Sequence, residues 1–291
     1  MDPFRPGWLT GRWGWLILWS GFFFFSVLLI LILQLAGVHP WSNSTAERID
    51  SYHHEQCEAV NTSAFFLQVH NFWSNYVYIA AGLLILCLND SWTGRYIGAV
   101  LLFLGFGSAW FHGTLAETGQ TVDMMGVYAV LLVMIAYGFI ELIPLENDGT
   151  AVWVILALAT ILGLLAGYLR GSLKLFDSDY FTPYLVFFLL CYQGLLRWRY
   201  RKAQEPVLAP FLAFLGFGVI ALLFKFTDGD KNLLADYGGD YEKCLYGHNS
   251  LIQGHAQWHA LSAVMFVCIF EYIRSFLGRS RTVWPWRLPS Q

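Results

Sequence analysis

Five polar residues in otherwise apolar surroundings have the types and spacings of reactive or metal-binding groups. His255 and His259 lie four residues apart in QGHAQWHALS, and Ser108 and His112 lie four residues apart in GSAWFHGTL. Residues at this spacing share one face of an α-helix. Asp123 follows His112 by eleven residues, across a short predicted turn. Because zinc takes imidazole nitrogens and a catalytic zinc keeps three protein ligands, we predict that His112, His255 and His259 bind Zn²⁺.

A zinc site of this kind has a definite chemistry. Bound zinc lowers the pKa of a water molecule to about 7 and polarises a carbonyl oxygen. Asp123 is predicted to act beside it as a general base that takes the water proton. The alternative is structural, because a lone histidine in an apolar helix is more often a hydrogen-bonded core residue than a ligand. The metal prediction therefore depends on whether the fold brings the three histidines together.

The elements that would position these residues are membrane-spanning helices. The chain has 291 residues, of which 57% are hydrophobic and 13% charged, whereas soluble proteins carry about 25% charged residues. Crossing a hydrocarbon core takes about 20 apolar residues. Eight segments qualify, and they cover residues 13–37, 64–88, 96–115, 122–143, 152–169, 181–196, 210–226 and 251–276.

The positive charges predict the orientation of these spans, because cytoplasmic flanks collect Lys and Arg. With a cytoplasmic N-terminus, eleven of the 17 Lys and Arg residues lie on the inside and six on the outside. Both termini are then cytoplasmic, and the histidines and Asp123 all lie at the exoplasmic face. The count uses no histidine, so it supports the metal prediction independently. No basic stripe of the length that nucleic-acid binding requires is present.

We predict one helical bundle with four regions along the chain. Residues 1–38 form a cytoplasmic N-terminus and a first helix, for which a retained anchor is favoured over a cleaved signal peptide because its apolar run is too long for a signal. Residues 39–63 form an exoplasmic loop, residues 64–277 a seven-helix catalytic bundle, and residues 278–291 a cytoplasmic tail.

The five cysteines divide into two groups. Cys57 and Cys244 fall in the two long exoplasmic connections, where an oxidising environment lets disulfides persist. We predict a disulfide between them, with two separate thiols as the alternative. The other three fall inside apolar spans, where cysteine behaves as a small hydrophobic residue; they are Cys87, Cys191 and Cys268.

The strings NFWSNYVY, GSAWFHGTLAETGQTVD and QGHAQWHALS resemble the signature blocks of the alkaline ceramidases. That family belongs to a membrane hydrolase superfamily with adiponectin-receptor-like and Per1-like proteins, and the resemblance covers the last seven spans. It implies a seven-helix bundle with zinc held by His112, His255 and His259. It also implies hydrolysis of ceramide to a sphingoid base and a fatty acid by a zinc-bound water. Ser108 would stabilise the oxyanion, and Asp123 would carry the proton to the leaving amine.

Two features depart from the family pattern. The helix at 13–37 is additional to the seven-span core. The family can also bind calcium ahead of its first core helix, and Glu55, Glu58 and Asn61 are the candidate ligands here. A carboxylate expected further along is replaced by Gln68 or Val69. Because calcium takes six to eight oxygen ligands, calcium binding is the weaker of the two metal predictions.

Other functions stay open at this stage. Ser74 and Asn75 match a polar pair in the family and are interpreted as packing or second-layer groups around the metal. A seven-helix receptor with a structural zinc, or a hydrolase of another lipid amide or ester, would carry the same residues. A transporter is disfavoured, because apart from Glu141 and Gln193 the cytoplasmic halves of the spans contain few polar groups.

Overall fold

The described part of the chain is entirely helical apart from short connections. The computed structural model describes residues 14–38, 58, 60–61, 64–89, 91–140, 149–173, 178–199, 208–227 and 253–276. Nine helices lie in these ranges: α1 Gly14–Leu35, α2 Val69–Ser74, α3 Tyr76–Leu88, α4 Trp92–Thr114, α5 Glu117–Ile140, α6 Gly149–Gly171, α7 Ser178–Arg199, α8 Leu208–Thr227 and α9 Gly254–Phe276.

Several of these helices are long and apolar enough to cross a membrane. Five meet both criteria within α1, α4, α5, α6 and α9. The apolar segments of α7 and α8 are shorter, at Tyr184–Leu195 and Ala209–Lys225. The predicted class, a helical membrane protein, is thus confirmed, while the count of seven spans plus one stays a prediction.

The span predicted from residue 64 begins as a helix only at Val69. Residues 64–68 instead cross the end of α4, where the backbone N–H groups of Leu67 and Gln68 donate to the carbonyls of Gly113 and His112, both at 3.1 Å. The Glu58 carboxylate then accepts from the backbone N–H groups of His70 and Asn71 in the first turn of α2, at 2.6 and 2.8 Å. Unbonded N–H groups at a helix start need such acceptors, so Glu58 fixes where α2 begins.

Three glycines of α6, here called the glycine ladder, let the backbones of α5 and α6 come into contact. A Cβ atom added to Gly163, Gly167 or Gly171 would lie 2.5, 2.2 or 2.5 Å from a Cα atom of α5. The glycines are four residues apart, so they form one stripe on α6. Small residues at this spacing let two membrane helices approach closely. The stripe faces Thr121 and Met125 on either side of Asp123.

Gly167→Leu is expected to destabilise the bundle. The new side chain would meet the backbone of Met125, which cannot rotate away, so the helices must separate. Overpacking of this kind costs roughly 1–3 kcal/mol or more, and the melting temperature in detergent should fall clearly. Gly216→Leu is the matched control, because nothing lies within 4 Å of a Cβ atom at Gly216. Equal melting temperatures for the two variants would contradict the predicted role of the ladder.

Helix α1 packs on α3 through aromatic side chains. The Trp19 indole N–H donates to the Tyr76 carbonyl at 3.0 Å, and Phe22 stacks on the Tyr76 ring with centroids 5.5 Å apart. Phe23 makes an edge contact with Trp73. The other face of α1 is exposed and apolar, as lipid contact requires; it includes Phe24, Phe25, Leu28 and Ile32.

The far end of α9 is more polar than the sequence predicted. Glu271 and Arg274 form a buried ion pair in its last turns, and the Gln193 side chain is fully buried on α7. Charged groups at such positions persist when they pair. Glu141, the other polar residue noted there, lies outside the described residues.

Candidate metal centre

The turn between α4 and α5 brings His112 and Asp123 to one end of the bundle. Leu115 ends α4 with a φ of +49°, in the left-handed region. Non-glycine residues are uncommon there. The Leu115 side chain is buried against Leu67 and Phe111, and this burial offsets the backbone cost. The predicted short turn is confirmed, because only two residues separate the helices.

The three predicted ligands meet in the structure. His112, His255 and His259 are all buried, and each offers a ligand atom within 4.8 Å of the other two. The ring centroids lie 4.5 Å apart for the pair on α9, and 5.1 and 4.9 Å from the His112 ring. Among the described residues, no other group of three or more His, Cys, Asp or Glu side chains has metal-binding spacing. These three histidines can therefore hold a metal ion.

Gln68 sets the orientation of the His112 ring. Its side-chain oxygen lies 2.7 Å from Nδ1 of His112. An amide oxygen can only accept, so Nδ1 carries the proton and Nε2 holds the lone pair. The Nε2 atom is buried and has no hydrogen-bond partner. A buried nitrogen in this state costs about 1–3 kcal/mol if nothing binds it, and a metal ion is the ligand that fits a free imidazole lone pair.

Ser74 performs the same task for His259. Its hydroxyl donates to the Asn71 carbonyl at 2.8 Å, and its oxygen lies 2.8 Å from Nδ1 of His259. With its only proton used, the hydroxyl accepts from Nδ1–H. Nε2 of His259 then holds the lone pair. Metal-binding histidines usually donate their second N–H in this way.

Ser74→Ala is expected to weaken metal binding without abolishing it. Loss of the acceptor frees the His259 ring to rotate and to change tautomer. Mutations of such outer groups typically cost about 10–100-fold in metal affinity or activity. Competition with a chelator of known affinity would measure the change, and Ser74→Thr should keep most of the affinity because it retains the hydroxyl. Unchanged affinity in Ser74→Ala would show that the bond does not act on the metal.

Ser108 and Asp123 form a second pair beside the histidines. Both side chains are buried, and a hydrogen bond joins them. The other carboxylate oxygen, Oδ1 of Asp123, is buried with no hydrogen-bond partner. One oxygen is therefore held in place while the other is available to a ligand or a proton.

A cavity adjoins the Ser108–Asp123 pair and the two histidines of α9. Ser108, Asp123, His255 and His259 line it, whereas His112 is not among its described lining residues. The remaining lining residues are Tyr78, Leu104, Met124, Val127, Thr182, Lys225 and Trp258. Concave sites in which a few polar groups converge are typical places for a ligand to bind.

Some of these residues were missed by the sequence analysis. Lys225 was counted only as an exoplasmic charge, and Gln68 only as a departure from a calcium pattern. Neither has a spacing that relates it to the histidines. Tyr78 sits on α3, and its hydroxyl lies 2.5 Å from that of Ser262 on α9. Only the contact between helices shows that these residues belong to the site.

The remaining predicted residues lie apart from the histidines or outside the described residues. Glu58 holds the start of α2, and the Asn61 side-chain oxygen accepts a backbone N–H three residues on, at 3.1 Å. Glu55, Cys57 and Cys244 lie outside the described residues, so calcium binding and the disulfide stay predictions. The other three cysteines lie within helices as expected: Cys87 in α3, Cys191 in α7 and Cys268 in α9.

Comparison with known proteins adds no relative. Neither a protein-family model nor a curated protein matches this sequence.

Proposed function

We propose that this protein is a zinc-dependent hydrolase of lipid amides within the membrane, acting on ceramide or a ceramide-like lipid. The observation that carries the proposal is a cluster of three histidines with metal-binding spacing, two of which line one cavity together with the Ser108–Asp123 pair. The cavity lies among helices that are apolar enough to span a membrane, which makes lipids the accessible substrates. The resemblance to alkaline ceramidases is the reason for proposing an amide as the bond that is cleaved.

Zinc is proposed as the metal because three imidazoles suit it and hydrolysis needs no redox change. His112, His255 and His259 would hold the ion. When bound, zinc supplies a water of lowered pKa and polarises a carbonyl oxygen. Gln68 and Ser74 keep two of the imidazoles in the tautomer that offers Nε2 to the ion.

Asp123 is the group that moves the proton. Its free Oδ1 accepts a proton as water oxygen bonds to the carbonyl carbon. As the C–N bond breaks, the same proton passes to the nitrogen, so the products are a carboxylic acid and an amine. A positioned general base of this kind contributes about 10²–10⁴-fold to a rate.

Ser108 is assigned first to orienting Asp123. A hydroxyl has one proton to donate, and a carboxylate oxygen can only accept it. Stabilisation of an oxyanion by the same hydroxyl requires that it change partners during the reaction. The oxyanion role implied by the family resemblance is therefore proposed as a second, transient role.

The direct test is release of fatty acid from labelled ceramide by purified protein in mixed micelles. We expect turnover that a zinc chelator abolishes and that added zinc restores. Protein that contains stoichiometric zinc but cleaves neither ceramide nor other lipid amides or esters would overturn the proposal. A receptor with a structural metal would then be the better interpretation.

A further inference from the structure

Tyr78 lines the cavity beside the histidines of α9, but the proposed reaction does not use its hydroxyl group. The side chain is buried, and its ring lies next to the His259 ring, with centroids 5.8 Å apart. The hydroxyl lies 2.5 Å from Oγ of Ser262 on α9. A phenylalanine would fill the same space without a buried polar group that needs a partner. The hydroxyl of Tyr78 therefore requires an explanation other than packing.

The direction of this hydrogen bond follows from the other partners of Ser262. The Ser262 hydroxyl donates to the carbonyl oxygen of Trp258 at 2.6 Å and is 3.3 Å from that of His259. A hydroxyl has one proton to donate, so the Ser262 oxygen accepts from Tyr78. A chain of hydrogen bonds thus runs from the Tyr78 phenol on α3 to the peptide carbonyls on either side of the His259 Cα atom.

Ser74 reaches the same histidine from the same side. Asn75 has helical dihedral angles, with φ −67° and ψ −18°, and its carbonyl accepts from the N–H group of Tyr78 at 3.0 Å. The helical turn therefore continues from α2 into α3, and residues four apart share a face. Ser74 contacts Nδ1 of the His259 ring, one turn away from the contact between Tyr78 and Ser262. His259 is thus held at its ring by one residue and at its backbone by the other.

We infer that Tyr78 is a positioning residue for the metal centre, which acts through Ser262 to fix the backbone of α9 at His259. The Ser74 hydrogen bond sets the tautomer of the ring but does not stop α9 from sliding along α3. Fixing the backbone also places His255, which lies one turn earlier on the same face. Metal ligands must lie within about 0.2 Å of their ideal distances, so a small shift of α9 weakens coordination. The inference rests on the metal site of the proposed function and not on its lipid substrate.

Tyr78→Phe tests the inference, because it removes the hydroxyl and keeps the ring. We expect the affinity for Zn²⁺, measured by competition with a chelator, to fall by about 10-fold, as for other groups that orient metal ligands. The visible absorption bands of the Co²⁺-loaded protein should also change, since they report the arrangement of ligands around the ion. Ser262→Ala should have the same effects. The double variant should lose no more affinity than either single variant, because both remove one chain of hydrogen bonds.

Tyr96→Phe is the matched control. The Tyr96 hydroxyl lies 2.5 Å from that of Thr160, and Thr160 donates to the Leu156 carbonyl at 2.9 Å, so the same kind of hydrogen-bond chain joins α4 and α6. Tyr96 precedes His112 on α4 by 16 residues, about 24 Å along the helix axis. The melting temperature without metal should fall in this variant as in Tyr78→Phe. Its Zn²⁺ affinity and Co²⁺ spectrum should equal those of the wild type.

Several outcomes would overturn the inference. Wild-type affinity and spectrum in Tyr78→Phe would show that the hydrogen bond only stabilises the fold, and an equal loss of affinity in Tyr96→Phe would show a general effect of destabilisation. Additive losses in the double variant would mean that Tyr78 does not act through Ser262. A lower kcat at unchanged affinity would place Tyr78 among the groups that contact the substrate. Failure to cleave ceramide would overturn the proposed function alone, whereas a wild-type protein that binds no metal would overturn both.

Discussion

His259→Ala is expected to release the metal and reduce hydrolysis by roughly 10³-fold or more, because metal ions supply several kcal/mol of transition-state stabilisation. His259 is one of three buried ligand atoms within 4.8 Å of each other. Two imidazoles on their own leave a site that binds zinc far more weakly. Elemental analysis of the purified variant would measure the metal, and fatty acid release would measure the activity.

The control for this prediction is His70→Ala. His70 lies on the short helix α2, near the site but outside the histidine cluster, so its metal content and activity should match the wild type. The melting temperature of both variants without metal should be compared, since a misfolded protein also loses zinc. A folded His259→Ala protein with full metal content would show that the ion lies elsewhere.

Asp123→Asn should separate metal binding from catalysis. The amide has nearly the same shape, but it cannot take up a proton, so kcat is expected to fall by about 10²–10⁴-fold. Zinc content should be unchanged, because Asp123 is not one of the grouped ligands. Single-turnover kinetics with labelled ceramide would show that the chemical step, and not product release, has become slow.

Glu117→Gln is the matched control for that variant. It removes a carboxylate from the first turn of the same helix, where the side chain is exposed, and normal kinetics are expected. Loss of zinc from Asp123→Asn would instead identify Asp123 as a metal ligand. Unchanged kcat would mean that another group moves the proton.

The histidine cluster could be predicted from the sequence because its geometry is mostly local. His255 and His259 share a face of α9 by the helical repeat, and His112 and Asp123 are joined by a turn of two residues. Only one relation, that of α4 to α9, had to come from the fold. The distribution of Lys and Arg was enough to place those two helix ends on the same side.

The groups that orient the imidazoles could not be predicted, because their contacts are distant along the chain. Gln68 is 44 residues from His112, and Ser74 is 185 residues from His259. Neither contact follows from a helical repeat, and a serine or glutamine near a helix start has many structural uses. Lys225 is a similar case, because its position at the end of an apolar span also fits a residue at the membrane surface.

Helix boundaries and helix packing were also predicted incompletely from the sequence, for a different reason. The start of α2 was placed five residues early, because hydropathy does not register the backbone bonds of residues 64–68 to α4. The glycine ladder of α6 was visible in principle, since Gly163, Gly167 and Gly171 are spaced by four. It was missed because a glycine repeat does not reveal which neighbouring helix it contacts.

The glycine ladder also determines which mutations this protein can accept over evolution. Asp123 lies between Thr121 and Met125, the α5 residues that contact Gly171 and Gly167, so α6, which contains none of the predicted site residues, fixes the depth and rotation of Asp123. Lipid-facing positions of α6, such as Leu158 and Leu162, are exposed and can exchange among apolar residues freely. In a saturation library selected for activity, α6 should therefore show tolerance around most of its circumference and near-complete intolerance along one stripe.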